Sequence, residues 1–483
     1  MNFTREINRL TTGILVLLVI VALAATYWAV VGPDTILLRQ DNPRLVQAAA
    51  QIHRGDIVDR NGTLIATSNT NADSSFTRQY LYPEMNSALG YASLRYGVGG
   101  AEAAFNRLLR GDNVGKDFLT QLANGLLHRV QHGSDVRLTF DLSIQRQAVK
   151  AMGTHSGSIV VLDIPSGQVL AMVSLPTYDP NTLDANWEVL SKAPGKPFFN
   201  RALQGAYQPG IALQTPLIAA ALLANYPLDT PIEQATQSIK VGDVTMQCVT
   251  KPPSDRLTLQ EAYAYGCPYP FAKMVQELGI ETIQSGFNTF QLEQPPTLAG
   301  YVVVPSSESS DSSHLQLGTS NFTKNALGQG TITVSPLEMA VIAGAIFNDG
   351  NAPIPYSLLQ VHQPPIEAWV NETNSYAFIP MLTANSARQM QVFMEAAVKN
   401  GAAQAAVQTG LTIGGHAALA YVGNTTQSWF IGFVSNGSNQ GATIAVILED
   451  THDTNLAVQI GGQVLAAAHE YQLTATPLPK DGG

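Results

Sequence analysis

A hydroxyl or thiol becomes a nucleophile only beside a group that takes its proton. Ser-x-x-Lys at a helix start is one such pairing, because three-residue spacing on a helix sets the amine over the hydroxyl. No Ser-x-x-Lys occurs anywhere in the 483 residues. Cys248 and Cys267 are the only cysteines, which allows at most one intramolecular disulfide. For metal chemistry, His128 and His132 have the i,i+4 spacing of a helical ligand pair. Arg129 follows His128 where His-Glu-x-x-His would need glutamate, and no third ligand stands near. That pair reads as a solvated helix face, and Asp450, His452 and Asp453 read as a solvated turn. No metal site and no cofactor emerge from the pattern.

The elements that must position any site follow from the rest of the chain. Its length accommodates two or three domains, since single cores stop growing at about 250–300 residues. Hydrophobic residues make up 45% and charged residues only 13%, with a formal charge of −10. That balance excludes nucleic acid as the expected partner and gives no basic membrane-binding surface. Ile14 to Val31 is an uncharged apolar run, close to the ~20 residues that cross a bilayer as a helix. Arg5 and Arg9 precede it, which predicts a cytoplasmic N-terminus with the bulk of the chain outside. A cleaved signal peptide is the rival reading, with a shorter apolar core and a small-residue cleavage site after it. Ala22, Ala24 and Ala25 lie inside the run, and Tyr27 and Trp28 after them suit an interfacial anchor instead.

Beyond the anchor, Gly55–Ala66 predicts two short strands around the Asn61-Gly62 turn. Ala101–Leu109 predicts a short helix. Ser158–Asp163 and Gln168–Val173 flank Ile164-Pro165-Ser166-Gly167 as a buried hairpin. Helices are expected over Pro216–Asn225, Leu337–Phe347 with Ser335 as cap, and Thr383–Asn400 closed by Gly401. Ala417–Val422, Ser428–Val434 and Ala442–Glu449 read as strands. Ser306–Ser313 reads as a surface loop, and the last residues as a loose tail. Mixed helices and strands without regular alternation predict an α+β fold.

Many of these segments, in this order, carry a family pattern. They include Arg54-Gly55-Asp56-Ile57-Val58-Asp59-Arg60-Asn61-Gly62, Leu138-Thr139-Phe140-Asp141, Asn200-Arg201-Ala202, Gly328-Gln329-Gly330, Ser335-Pro336-Leu337-Glu338-Met339-Ala340 and Trp429-Phe430-Ile431-Gly432-Phe433. The chain resembles the class B penicillin-binding proteins, monofunctional transpeptidases that cross-link peptidoglycan. The resemblance implies residues 1–12 as a cytoplasmic tail, 13–32 as a transmembrane helix and 33–136 as a small mixed α/β pedestal and interaction module. Residues 137–474 would then form a transpeptidase-like domain, a central antiparallel sheet flanked by helices, before a tail at 475–483. It also implies a plasma-membrane protein whose partners are the membrane, a polytopic glycan polymerase or other cell-wall synthesis proteins, and the peptidoglycan stem peptide.

The family's chemistry rests on three clusters, and the resemblance places them on residues that cannot perform it. Tyr207-Gln208-Pro209-Gly210 leads into Ile211 and Gln214, where the family has the nucleophilic serine and its lysine. Gly266 and Pro268 stand for the serine and asparagine of Ser-x-Asn. Ile413, Gly414 and Gly415 stand for Lys-Thr-Gly, so only the last glycine persists. An aliphatic group has no lone pair to attack a carbonyl, and an amide does not take up a proton near neutral pH. Many relatives carry a cysteine where Cys267 falls and another upstream, which implies a Cys248–Cys267 disulfide; buried thiols and a nucleophilic Cys267 with His416 as base are the alternatives. His416, after the glycine, is expected to line a residual groove or to face solvent, while Ile211 and Ile413 would partly fill that groove. The expected function is a catalytically inactive scaffold or regulator of a membrane glycan polymerase. The alternatives are an active transpeptidase with reassigned residues and a reversible sensor of wall peptides.

Overall fold

The computed structural model describes residues 3–32, 47, 49–112, 130–292, 296–303, 322–363, 368–372, 377–437 and 440–474. The serine-rich stretch at 306–313, His128 and the tail at 475–483 lie outside them.

The apolar N-terminal run forms one long helix, α1 (Phe3–Gly32), longer at its start than the expected span. Ile7–Tyr27 is long and apolar enough to cross a membrane, and none of the described residues buries it. Thr11, Thr12 and Thr26 turn their hydroxyls back to carbonyls four residues earlier, so these polar groups are satisfied within the helix, as a lipid environment requires.

The next region is a six-stranded sheet ordered β9-β8-β4-β1-β2-β3, from β1 (Ile57–Val58), β2 (Leu64–Thr70), β3 (Phe76–Tyr80), β4 (Asp135–Leu138), β8 (Leu358–His362) and β9 (Trp369–Asn371). The boundary expected at 136/137 therefore falls inside a strand. β4 pairs with β1 in parallel and with β8 antiparallel, so one sheet joins the first module to strands more than 200 residues later. The expected hairpin is β1–β2, and Asp59 Oδ1 accepts from the Asn61 and Thr63 amides to shape its turn. The helix expected at 101–109 is broken at Phe105 (φ −109°, ψ 20°) into α2 (Gly100–Ala104) and α3 (Asn106–Arg110). Glu102, fully buried on α2, accepts from Arg78 and Arg54, each at 2.6 Å. Burial alone would raise its pKa, but the two guanidiniums hold it below the usual carboxylate value.

The larger unit is built on a five-stranded antiparallel sheet ordered β11-β12-β13-β5-β6. Its strands are β5 (Gly157–Ile164), β6 (Val169–Leu175), β11 (Thr412–Val422), β12 (Thr425–Ser435) and β13 (Gly441–Leu448). β5, β6 and β13 are nearly continuous apolar runs because helices cover both faces. On one face lies α8 (Pro336–Phe347), wholly buried, its start fixed by a capping box between Ser335 and Glu338. Phe347 stacks on Phe433 there, ring centroids 5.0 Å apart. On the other face, α10 (Thr454–Thr474) sets Gly461 against Phe430, where a Cβ would come within 2.1 Å of the ring. Asp453 caps that helix by accepting from the Leu456 amide, the structural part played by the polar turn at 450–453.

Candidate functional site

The three clusters named from sequence converge at one end of this sheet. The first is a 3-10 turn, Gly210–Leu213, leading into α5 (Gln214–Leu223), which starts two residues before and ends two residues before the expected helix. Tyr207 pairs its backbone with Val334, and the Gly210 amide donates to the Gly328 carbonyl at 3.0 Å. Gly210 has φ +53°, and a Cβ there would lie 2.3 Å from the Leu419 carbonyl oxygen, so only glycine lets the turn approach β11 this closely. Trp429 Nε1 donates to the Gln208 carbonyl, and Tyr207 Oη donates to Glu449, which also pairs with Arg201 at 2.9 Å. These contacts fix the turn against the sheet.

The side chains presented there are apolar or neutral. Ile211 is 1% exposed. Gln214 Nε2 donates to the Cys267 carbonyl at 3.1 Å, and its Oε1 has no hydrogen-bond partner. Thr215 and Tyr263 share a hydrogen bond of 3.0 Å.

The second cluster joins α6 (Leu259–Ala264) to α7 (Pro268–Thr289). Gly266 has φ +62°, and a Cβ on it would come within 2.6 Å of Val249 Cγ2 and 3.5 Å of Ile211 Cγ2. Val249 therefore occupies the space into which a side chain at 266 would project. The segment carrying Val249 is tied down twice. Cys248 and Cys267 form a disulfide, with a sequence separation of 19, and the Val249 and Thr250 amides donate to the Gly266 and Tyr265 carbonyls, each at 3.3 Å. Pro268 and Pro270 do not constrain a turn; they fall in the first turn of α7, where backbone amides lack helical acceptors.

The third cluster lies within β11, which begins five residues earlier than the expected strand. β11 is the terminal strand of the sheet, with Ile413 opposite Val434, Gly414 opposite Phe433 and Gly415 opposite Gly432. A Cβ at Gly414 would meet Phe433 Cζ at 2.3 Å, and one at Gly415 would meet Phe430 Cε2 at 2.4 Å. The two aromatic rings of β12 thus demand two glycines on β11. Ile413 is 5% exposed.

His416 does not face solvent: it is 1% exposed. Its ring stacks on Tyr263 at 4.0 Å and its Nε2 donates to the Ile211 carbonyl at 3.3 Å. Burial pushes the imidazole down to about 4, against the smaller raising effect of the Ile211 carbonyl, so it is neutral at physiological pH. Its Nδ1 has no hydrogen-bond partner. At neutral pH none of Ile211, Gln214, Gly266, Pro268, Ile413, Gly414, Gly415 and His416 carries charge, and Cys267 is bonded to Cys248.

Val249 and Tyr263 are the neighbours that sequence reasoning missed. Tyr263 sits three residues before Gly266 on an apolar helix face, a signal available in principle. Val249 lies 17 residues before Gly266 and meets it through long-range contacts, the Cys248–Cys267 disulfide and two backbone hydrogen bonds among them. Of the histidine pair considered for metal, His132 packs near His53, with ring centroids 5.1 Å apart. Among the described residues, no cluster of three metal-ligating side chains occurs.

Residues 157–468 match the family described as penicillin binding protein transpeptidase domain. Residues 54–136 match penicillin binding protein A dimerisation domain. The chain is 28% identical to the peptidoglycan D,D-transpeptidase PbpA of Mycolicibacterium smegmatis, over 96% of this chain and 98% of that protein. The Mycobacterium tuberculosis PbpA is 27% identical, with the same coverage. The structure of penicillin-binding protein A from M. tuberculosis as an imipenem acyl-enzyme complex superimposes with a TM-score of 0.77. That match is at 26% identity and covers 88% of this chain and 100% of the other.

Proposed function

From the premise that this chain belongs to the penicillin-binding protein transpeptidase family, we propose that it is a catalytically inactive member. In this reading it serves the peptidoglycan synthesis machinery as a scaffold or regulator of a membrane glycan polymerase. A single observation carries this reading: the position assigned to the nucleophile holds Ile211, buried against the residue assigned to the second serine. The other assigned positions support it, because Gln214, Gly266, Pro268, Ile413, Gly414 and Gly415 carry neither an amine nor a hydroxyl. Acyl transfer needs a nucleophile, a proton acceptor and donors for the developing oxyanion together, and the first two are missing at once.

What remains suits binding. α1 would anchor the protein in the plasma membrane with its N-terminus in the cytoplasm, and the module on the six-stranded sheet would meet the polymerase. The outer edge of β11 pairs with no strand among the described residues, so an extended stem peptide could still add to the sheet there through backbone hydrogen bonds alone. That supports reversible wall-peptide sensing as the second reading.

The test is incubation of the purified full chain with a fluorescent penicillin, beside an active penicillin-binding protein and a boiled control. The expected result is no covalent band from a folded protein. A stoichiometric adduct would overturn the proposal in favour of a transpeptidase with reassigned residues, and its mass-mapped position would name the nucleophile.

A further inference from the structure

Two glycines reveal which way the backbone of β11 faces. A Cβ at Gly210 would meet the Leu419 carbonyl oxygen at 2.3 Å, and one at Gly432 would meet that of Gly414 at 2.7 Å. Backbone groups alternate along an antiparallel strand. Odd-numbered residues of β11 therefore turn theirs out of the sheet, and even-numbered ones turn theirs towards β12. The Gly210 turn covers the Leu419 carbonyl. Gly415 and Ala417 also face outward, and no described residue hydrogen-bonds to their outward amides and carbonyls. Both residues are buried, and for glycine that burial is of the backbone itself. Buried backbone groups without partners are rare and costly. This edge favours an occupant that brings amides and carbonyls of its own, as an extended peptide does.

The surroundings decide the charge of that occupant. Ile413, on the same edge, is buried and aliphatic. Gln214 and His416 are buried and neutral, and their unpartnered atoms, Oε1 and Nδ1, are both acceptors once Nε2 of each donates. The cations of adjoining segments are engaged elsewhere or exposed. Arg201 pairs with Glu449 at 2.9 Å. Arg388, on the helix α9 (Ala384–Asn400) packed against β11, pairs with Asp349 beside the joined strands β7 (Asn351–Pro353) and β10 (Phe378–Pro380). Lys324 lies beside Gly242, and Lys251 and Lys399 are exposed. A carboxylate brought to this edge would leave water without meeting a cation, which costs far more than burying a hydrogen-bonded amide.

We propose that the outer edge of β11 binds a neutral extended peptide and rejects one that ends in a carboxylate. Its ligand is then stem peptide whose terminal carboxyl has been replaced by an amide, as in a finished cross-link. The proposal rests on the wall-peptide reading above and adds the chemical state of the peptide.

The experiment titrates the full chain in lipid nanodiscs with diacetyl-L-lysyl-D-alanyl-D-alanine, anionic at pH 7, and with its neutral C-terminal methylamide. Saturation-transfer NMR reads both affinities. The methylamide should bind at least tenfold more tightly than the acid. Methylating both alanine nitrogens of the methylamide should weaken it at least tenfold, because the outward carbonyls of β11 then lose their donors. Ile413→Lys should raise affinity for the acid at least tenfold by placing an ammonium on this edge. The two ligand comparisons use the unmodified protein and decide the matter even where that variant does not fold. Equal affinities for acid and methylamide, or a preference for the acid, overturn the proposal and leave wall-peptide binding standing. Indifference to N-methylation does the same, since it takes the peptide off the strand edge. No saturable binding of either peptide overturns wall-peptide binding itself, and this proposal with it.

Discussion

His416 Nε2 donates to the Ile211 carbonyl oxygen at 3.3 Å, joining the strand that bears the third cluster to the turn that bears the first. Burial keeps the imidazole neutral, against the smaller raising effect of that carbonyl. A side chain next to the position assigned to the third cluster's glycine is here part of the packing.

That state makes stability depend on pH with a definite sign. Burial depresses the His416 pKa from 6.5 to about 4 on folding. The unfolded chain therefore binds more protons between those values, and the contribution is complete above pH 6.5 and lost as pH falls towards 4. A shift of this size corresponds to about 3 kcal/mol at most. Urea unfolding of the detergent-solubilised full chain at pH 7.5, 5.5 and 4.5 should show falling stability, with a shallower fall in His416→Phe. Parallel slopes in the two proteins would remove His416 as the cause.

The glycines of β11 should be intolerant of any side chain. A Cβ at 414 would sit 2.3 Å from Phe433 Cζ, and overpacking of this kind costs about 1–3 kcal/mol. Gly414→Ala should destabilise by that amount, and Phe433→Leu in the same chain should recover part of it. Strict additivity of the two changes, measured as a double-mutant cycle, would mean that they do not meet.

Removing the bridge should loosen the second cluster. In the chain-entropy account, closing a loop of this size stabilises by about 3 kcal/mol, and here the loop also holds Val249 against Gly266. Cys248→Ala with Cys267→Ala should lower the unfolding midpoint and raise amide exchange at Val249 and Thr250, whose hydrogen bonds to Gly266 and Tyr265 depend on that placement. Unchanged exchange there would show that packing alone positions the segment.

The first module should fail if its buried acid is cut away. Glu102 is enclosed by Arg54 and Arg78, and leaving buried charges without their partner costs about 3–5 kcal/mol. Glu102→Ala should expose residues 54–110 to limited proteolysis while the larger unit stays resistant. Equal resistance of both regions would mean that the two arginines find other partners.

Local chemistry made much of this fold legible. Asn61-Gly62 and the Ser335 cap with Pro336 are signals contained in a few adjacent residues, and the structure uses each as expected. The helix expected from Thr383 starts one residue later, with Thr383 as its cap. The break at Phe105 and the early start of β11 at Thr412 were not legible, because sheet pairing and packing decide them. The site shows the same division. The family pattern pointed to Ile211, Gly266 and Ile413, and the structure brings their segments together. It could not place Val249, which meets Gly266 from 17 residues away, nor the burial of His416, which stacks on Tyr263 from a distant helix.

Restoring the two residues of the first cluster should not restore chemistry. Ile211→Ser with Gln214→Lys would supply a hydroxyl and an amine at the assigned positions. The new lysine would lie beside the Cys267 carbonyl that Gln214 now meets, but Gly266 and Pro268 would still offer no relay hydroxyl or carboxamide. Val249 would still fill the space beside Gly266, and Ile413 would still stand where a cation is needed. Residues that act as a unit are strongly non-additive in catalysis, so part of the set returns little of the rate. The double variant should therefore remain unlabelled by fluorescent penicillin while unfolding near the parent midpoint, or below it through loss of the Ile211 side chain from the core. Robust labelling of that variant would show that the peptide groove and oxyanion donors persist intact, and that the proposed inactivity rests on the first cluster alone.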